Sequence, residues 1–128
     1  MKHRYGVITR APQIVAFILS LSLSIAASAD AFDDAFDYYQ AGNYQAAFAG
    51  FKPLADQGVA MAQWRLGFMY DQGLGVPQDY KQAVVWFNLA AVSGHEDAIK
   101  NRDLVAKEMN SAQLAEAQKL AREWKPTD

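Results

Sequence analysis

Two histidines, no cysteine and a scatter of carboxylates make up the reactive inventory of this 128-residue chain. His3 lies at the extreme N-terminus, and His95 opens the stretch HEDAI. A zinc-binding helix motif would need a second histidine four residues on, where Ile99 stands. Without cysteine there are no thiolate ligands, disulfides or cysteine nucleophiles. Beyond residue 29 the serines are Ser93 and Ser111, followed by Gly-His-Glu and Ala-Gln-Leu, so neither fits the Ser-x-x-Lys acylation motif. Ser93 stands two residues from His95, but no acid or oxyanion motif accompanies the pair. Asp33 and Asp37 are one helical turn apart. Paired-carboxylate hydrolysis, however, needs two acids facing each other across a cleft, and a solvated helix start accounts for these two. The reading is of a non-enzymatic chain with no metal site and no cofactor, in which His95 is a solvated residue at a helix start.

The stretch YDQGLGVPQDY, Tyr70 to Tyr80, is the other place where chemistry is conceivable, because glycine-rich turns can cradle phosphates. A dinucleotide fingerprint would need a third glycine where Gln78 stands, and a phosphate-binding P-loop would need Gly-Lys followed by Ser or Thr. Both are missing. Gly73 and Gly75 are therefore read as turn residues between two helices, with Val76 plugging the apolar gap and Pro77 blocking extension of either helix.

The elements that would position these residues begin with the N-terminus. Lys2, Arg4 and Arg10 precede an apolar run from Ile14 to Ala27, which ends at Ala27-Ser28-Ala29. A basic region, an apolar region and a small-x-small cut in that order make a signal peptide. The run is shorter than the ~20 residues that span a bilayer. The expectation is a signal peptide over residues 1–29 and a mature domain over 30–128. The protein would then be exported, to the periplasm or beyond, without stable membrane association after cleavage. The mature part keeps nine basic against fourteen acidic residues, a formal charge of −5, with no basic stripe. A nucleic-acid partner is thereby disfavoured.

Sliding the mature chain against itself by 36 residues aligns Tyr44 with Tyr80, Ala47 with Ala83, Phe51 with Phe87, Ala55 with Ala91, Gly58 with Gly94 and Ala62 with Ala98. Within the unit, apolar residues at 80, 83, 84, 87, 90 and 91 predict an amphipathic helix after Asp79 as N-cap, closed by Gly94. The segment from Asn43 to Gly58 repeats that design with Pro53 inside it. Further helical spacing follows over 61–71, over 95–109 and over 110–124, and an acid-rich helix starts the domain near Asp30. No period-2 strand is present. The fold class expected is all-α, a solenoid of about six antiparallel helices in units of roughly 30–57, 58–93 and 94–124.

The stretch AMAQWRLGFMYDQGLGVPQDYKQAVVWFNLAAVSGHEDA resembles one unit of the Sel1-like repeat family, relatives of the tetratricopeptide repeats. The resemblance rests on Ala62, Leu66, Gly67, Tyr70, Gly73, Gly75, Val76, Asp79, Ala83, Trp86, Phe87, Ala90, Ala91, Gly94 and Ala98. The first unit lacks the glycine loop, and the third lacks both that loop and the tyrosine, so one of about three units is complete. The resemblance implies an α/α solenoid acting as a scaffold for protein contacts, with Trp86 at a packing position. It also implies that a second stripe on the first helix of each unit lines a concave groove. Carried across, the groove comprises Phe32, Phe36 and Tyr39, then Met61, Trp64, Phe68 and Asp71, then Asp97, Lys100, Leu104 and Lys107. Aromatic and Met residues suit a protein or peptide partner, and the same side chains could equally be ordinary core. Two alternatives to a partner-binding scaffold stay open. One is a small cell-wall-active or hydrolytic enzyme using carboxylates or His95, and the other is a self-associating or membrane-tethered structural protein.

Overall fold

The computed structural model describes residues 11–128, with side chains from residue 24 onward; Lys2, His3, Arg4 and Arg10 lie outside the described residues. Among the described residues six helices follow one another: α1 (Ala11–Gln40), α2 (Tyr44–Asp56), α3 (Ala60–Gln72), α4 (Tyr80–Val92), α5 (Glu96–Ala106) and α6 (Ser111–Glu123). Among the described residues there is no strand, and no helix is long and apolar enough to cross a membrane. The contacts divide the chain at Asp30, and the packed unit is Ala31–Asp128.

Local chemistry sets the helix ends. Asn43, Asp79, His95 and Asn110 each accept a backbone N–H three residues on, at Ala46, Gln82, Ala98 and Gln113. These bonds satisfy donors that the first helical turn leaves without partners. At Asn110 the bond is reciprocal, with Gln113 returning its side-chain oxygen to the Asn110 N–H in a capping box. The helix expected over 95–109 stops at Ala106, because residues 107–109 turn ahead of that cap.

The 36-residue repeat is a repeat of the core. Ala47 and Ala83, Phe51 and Phe87, and Ala62 and Ala98 are all fully buried. Helix α4 is the hub, packing against α3, α5 and α6. The apolar stripe read from its sequence is buried at Ala83, Val84, Phe87 and Ala90, but so are Val85, Trp86 and Leu89. A helix apolar on all sides is one surrounded by protein. Here the closing helix α6 covers the side that would otherwise face water, seating itself chiefly on α4 rather than on its hairpin partner α5. The C-terminal tail then folds back. Trp124 packs on the core, its ring and Pro126 lie beside Gly58, and the Thr127 N–H donates to the Asp56 carbonyl at 2.8 Å.

Candidate functional site

The glycine loop is built as a turn between α3 and α4, with its first and last amides returned to α3 carbonyls. Gly73 caps α3 in the left-handed conformation at φ 67°, and its N–H returns to the Met69 carbonyl. The next N–H, at Leu74, goes to the same carbonyl at 2.9 Å, and the Asp79 N–H goes to Tyr70 at 3.0 Å. Amides spent on carbonyls do not point outward at a phosphate. Gly75, at φ 72°, lies so close to the first unit that a β-carbon there would sit 2.5 Å from the Tyr44 carbonyl oxygen. Only glycine permits both the angle and the approach. The plug expected at Val76 is instead Leu74, which packs on the core from two residues earlier.

Helix α3 presents two sides. Ala62, Leu66 and Met69 are fully buried, whereas Met61, Trp64, Arg65 and Phe68 lie on the other side with part of their surface in solvent. Around Arg65 three aromatic rings close in. Its guanidinium carbon lies 4.9 Å from the Phe36 ring centre, 5.4 Å from Tyr39 and 4.6 Å from Trp64. Each such cation–ring contact contributes roughly 0.5–2 kcal/mol, more as water is excluded. Phe36 and Tyr39 are themselves stacked along α1, with rings 6.4 Å apart and nearly parallel. On the far side of Trp64, its ring stacks on His95 at 5.0 Å and its Nε1–H donates to Asn101 Oδ1 at 2.9 Å. A continuous line of rings and one cation therefore joins α1, α3 and the start of α5.

His95 is held, not merely solvated as expected. Its Nδ1 accepts the Ala98 N–H at 3.2 Å, so the ring hydrogen is on Nε2, which faces Met61 Sδ at 3.2 Å. A ring with one nitrogen accepting and the other protonated offers no lone pair to a metal. Among the described residues no group of three or more His, Asp or Glu is placed to hold one. Ser93 is an exposed C-cap residue, and both ring nitrogens of its neighbour His95 are turned to other partners.

Charge behaviour follows burial. Burial pushes the Tyr39 hydroxyl above its ordinary value and Tyr44 adds to this, while the Arg65 cation opposes it. Burial draws Arg65 below the usual guanidinium range, with Tyr39 acting the other way. Burial also raises Tyr70, reinforced by Asp79 and Asp56.

Of the residues assigned to the groove, the fold brings Phe36, Tyr39, Met61 and Trp64 into this line. Phe32 sits at its edge, 5.2 Å from the core ring of Phe51. Phe68 packs against the core, half-buried. Asp71 stands at the end of α3, bonded to Gln72, with its backbone carbonyl held by Gln78. Asp97, Lys100, Leu104 and Lys107 are exposed on and just beyond α5. The sequence reading missed Arg65, His95 and Asn101 as members. Arg65 follows Trp64 and so falls between the two stripes counted on α3; the sequence signal for it was a lone cation among aromatics. Trp86, expected to be structural, is buried in the core, with Lys52 over its ring at 5.4 Å.

The family model described as Sel1 repeat matches residues 60–95, which is α3, the glycine loop, α4 and the turn to His95. The chain carries a Sel1 repeat. Among solved structures it is similar to the crystal structure of c5321, a protective antigen present in uropathogenic Escherichia coli strains displaying an SLR fold. The likeness has 34% identity and a TM-score of 0.62 over 63% of this chain, and it spans 18% of the other chain. No curated protein matches. The Sel1 unit supplies the central hairpin, and the fold is an all-α helical repeat solenoid.

Proposed function

We infer that this Sel1-like chain is an exported, non-enzymatic scaffold that holds a segment of a partner protein along the face shared by α1, α3 and α5. One observation carries the reading: the half-exposed line Phe36, Tyr39, Arg65, Trp64 and His95 crosses three units on one side of the molecule. Rings of this kind give large contact area with little rotamer entropy to lose, which is why they dominate interface energetics. Sel1-like repeats are in general protein-interaction scaffolds, and that supports the same class of function. Export is supported by the basic, apolar and small-residue order of the first 29 residues. N-terminal sequencing of the exported protein should begin at Asp30, and a first residue of Met1 would contradict cleavage.

A photoreactive side chain at position 39 or 100 should cross-link to a partner in the producing cell, whereas one at Gln45, exposed on α2, should not. Adducts from position 45 alone would move the binding face elsewhere. Adducts from none of the three would remove the scaffold reading.

A further inference from the structure

Within the aromatic line, Arg65 is the residue with a buried side-chain nitrogen that has no partner among the described residues. Its Nε is buried with no hydrogen-bond acceptor. None of the ion pairs among the described residues includes it. Its surroundings are three rings, whose faces offset part of the cost of taking the cation out of water but accept none of its hydrogen bonds well. A buried donor with no acceptor destabilises the fold, and a charged one does so more strongly. A planar fork of N–H donors held between rings is matched by the two oxygens of a carboxylate, which it binds in pairs.

We propose that Arg65 is the recognition centre of the α1–α3–α5 face, and that its ligand is an Asp or Glu side chain within a largely apolar partner segment. This rests on the reading of that face as the binding surface. An internal side chain, rather than a chain end, is assigned because rings flank the cation on both sides. Phe36 and Tyr39 of the first unit lie on one side, and Trp64 with His95 of the third unit on the other, so a bound segment continues past Arg65 in both directions. The apolar character of the segment follows from the rings it would cover.

The test pans random twelve-residue peptide libraries against the full chain, against Arg65→Met and against Trp64→Ala. One library is displayed with both peptide ends fused, the other with a free C-terminus. The expected result is enrichment of fused peptides that share one acidic position among apolar residues. Synthesised with blocked ends, such a peptide should lose roughly 10- to 100-fold in affinity when its acid is changed to the amide. That loss should vanish on Arg65→Met and persist on Trp64→Ala, where overall affinity falls. Peptides without a shared acid, or the same acid-to-amide loss on Arg65→Met, would overturn the carboxylate assignment while leaving the face intact. Enrichment confined to the free-ended library would replace the side chain by a terminal carboxylate and overturn the assignment as stated. Binders indifferent to both substitutions, or no binders, would remove the face and the assignment together. Arg65→Lys keeps the charge but loses the fork, so it should retain no more than about a tenth of the affinity, a 10-fold loss equal to about 1.4 kcal/mol; it serves if Arg65→Met does not fold.

Discussion

The seating of α3 on α4 can be tested at a single atom. Gly67 lies in the middle of α3, and a β-carbon added there would fall 2.6, 2.7 and 3.0 Å from three ring atoms of Phe87. Ordinary contact begins near 3.5 Å, so ring or helix must move by most of an ångström. The ring has nowhere to go, since Phe87 is fully buried and its neighbours Val84, Ala83 and Leu66 are too. Forcing an extra carbon into a packed core costs about 1–3 kcal/mol. Alanine in place of glycine within a helix returns about 1 kcal/mol. Gly67→Ala should therefore destabilise by about 1 kcal/mol net, which lowers the melting temperature by about 4–8 °C for a domain of this size. Far-ultraviolet circular dichroism on heating, or urea unfolding, measures it. The decisive form is a double-mutant cycle with Phe87→Leu. Without the ring, Gly67→Ala should be neutral or stabilising, leaving a coupling of about 1–3 kcal/mol between the two positions. Coupling near zero, or a more stable single variant, would show that the α3–α4 interface gives way easily, and the account of the repeat core would fail.

Three further outcomes are expected. Arg65→Met removes a buried donor that has no acceptor, a relief of about 1–3 kcal/mol, together with three cation–ring contacts of roughly 0.5–2 kcal/mol each, so urea unfolding should show a net loss of up to about 3 kcal/mol; a variant more stable than the parent would show that the rings do not hold the cation. Tyr39 and Tyr70 hold their protons more tightly in the folded protein than at the model-peptide value of 10.0. Above that pH the unfolded chain binds fewer protons, so stability should fall as pH rises through and beyond 10, and Tyr70→Phe should lessen the fall when melting is followed by circular dichroism. Truncation after Glu123 removes Trp124, which packs half-buried against the core, and the Thr127 bond to Asp56; half-burying a large aromatic accounts for about 1–1.5 kcal/mol, and a melting temperature unmoved by the truncation would show the tail to be idle.

What the sequence determined by itself is whatever depends on neighbours along the chain. Helix starts at Asn43, Asp79 and Asn110 were legible because a capping side chain reaches only two or three residues ahead. The turn role of Gly73 and Gly75 was legible because left-handed backbone is a property of single residues. The buried pairs of the repeat were legible because a repeated hairpin buries the same positions each time. Only the tertiary structure decided which face of each helix finds a second partner. The helical period shows one stripe of α4, but Val85, Trp86 and Leu89 outside it are buried as well, because α6 also packs on α4 and Lys52 of α2 lies over the Trp86 ring. It set Leu74 rather than Val76 on the core, brought Trp64 to Asn101 across 37 residues, and closed three rings around Arg65. Those contacts join separate units, and their geometry comes from the angle at which one hairpin rests on the next, a quantity fixed by the packing of whole helices and by no short run of residues.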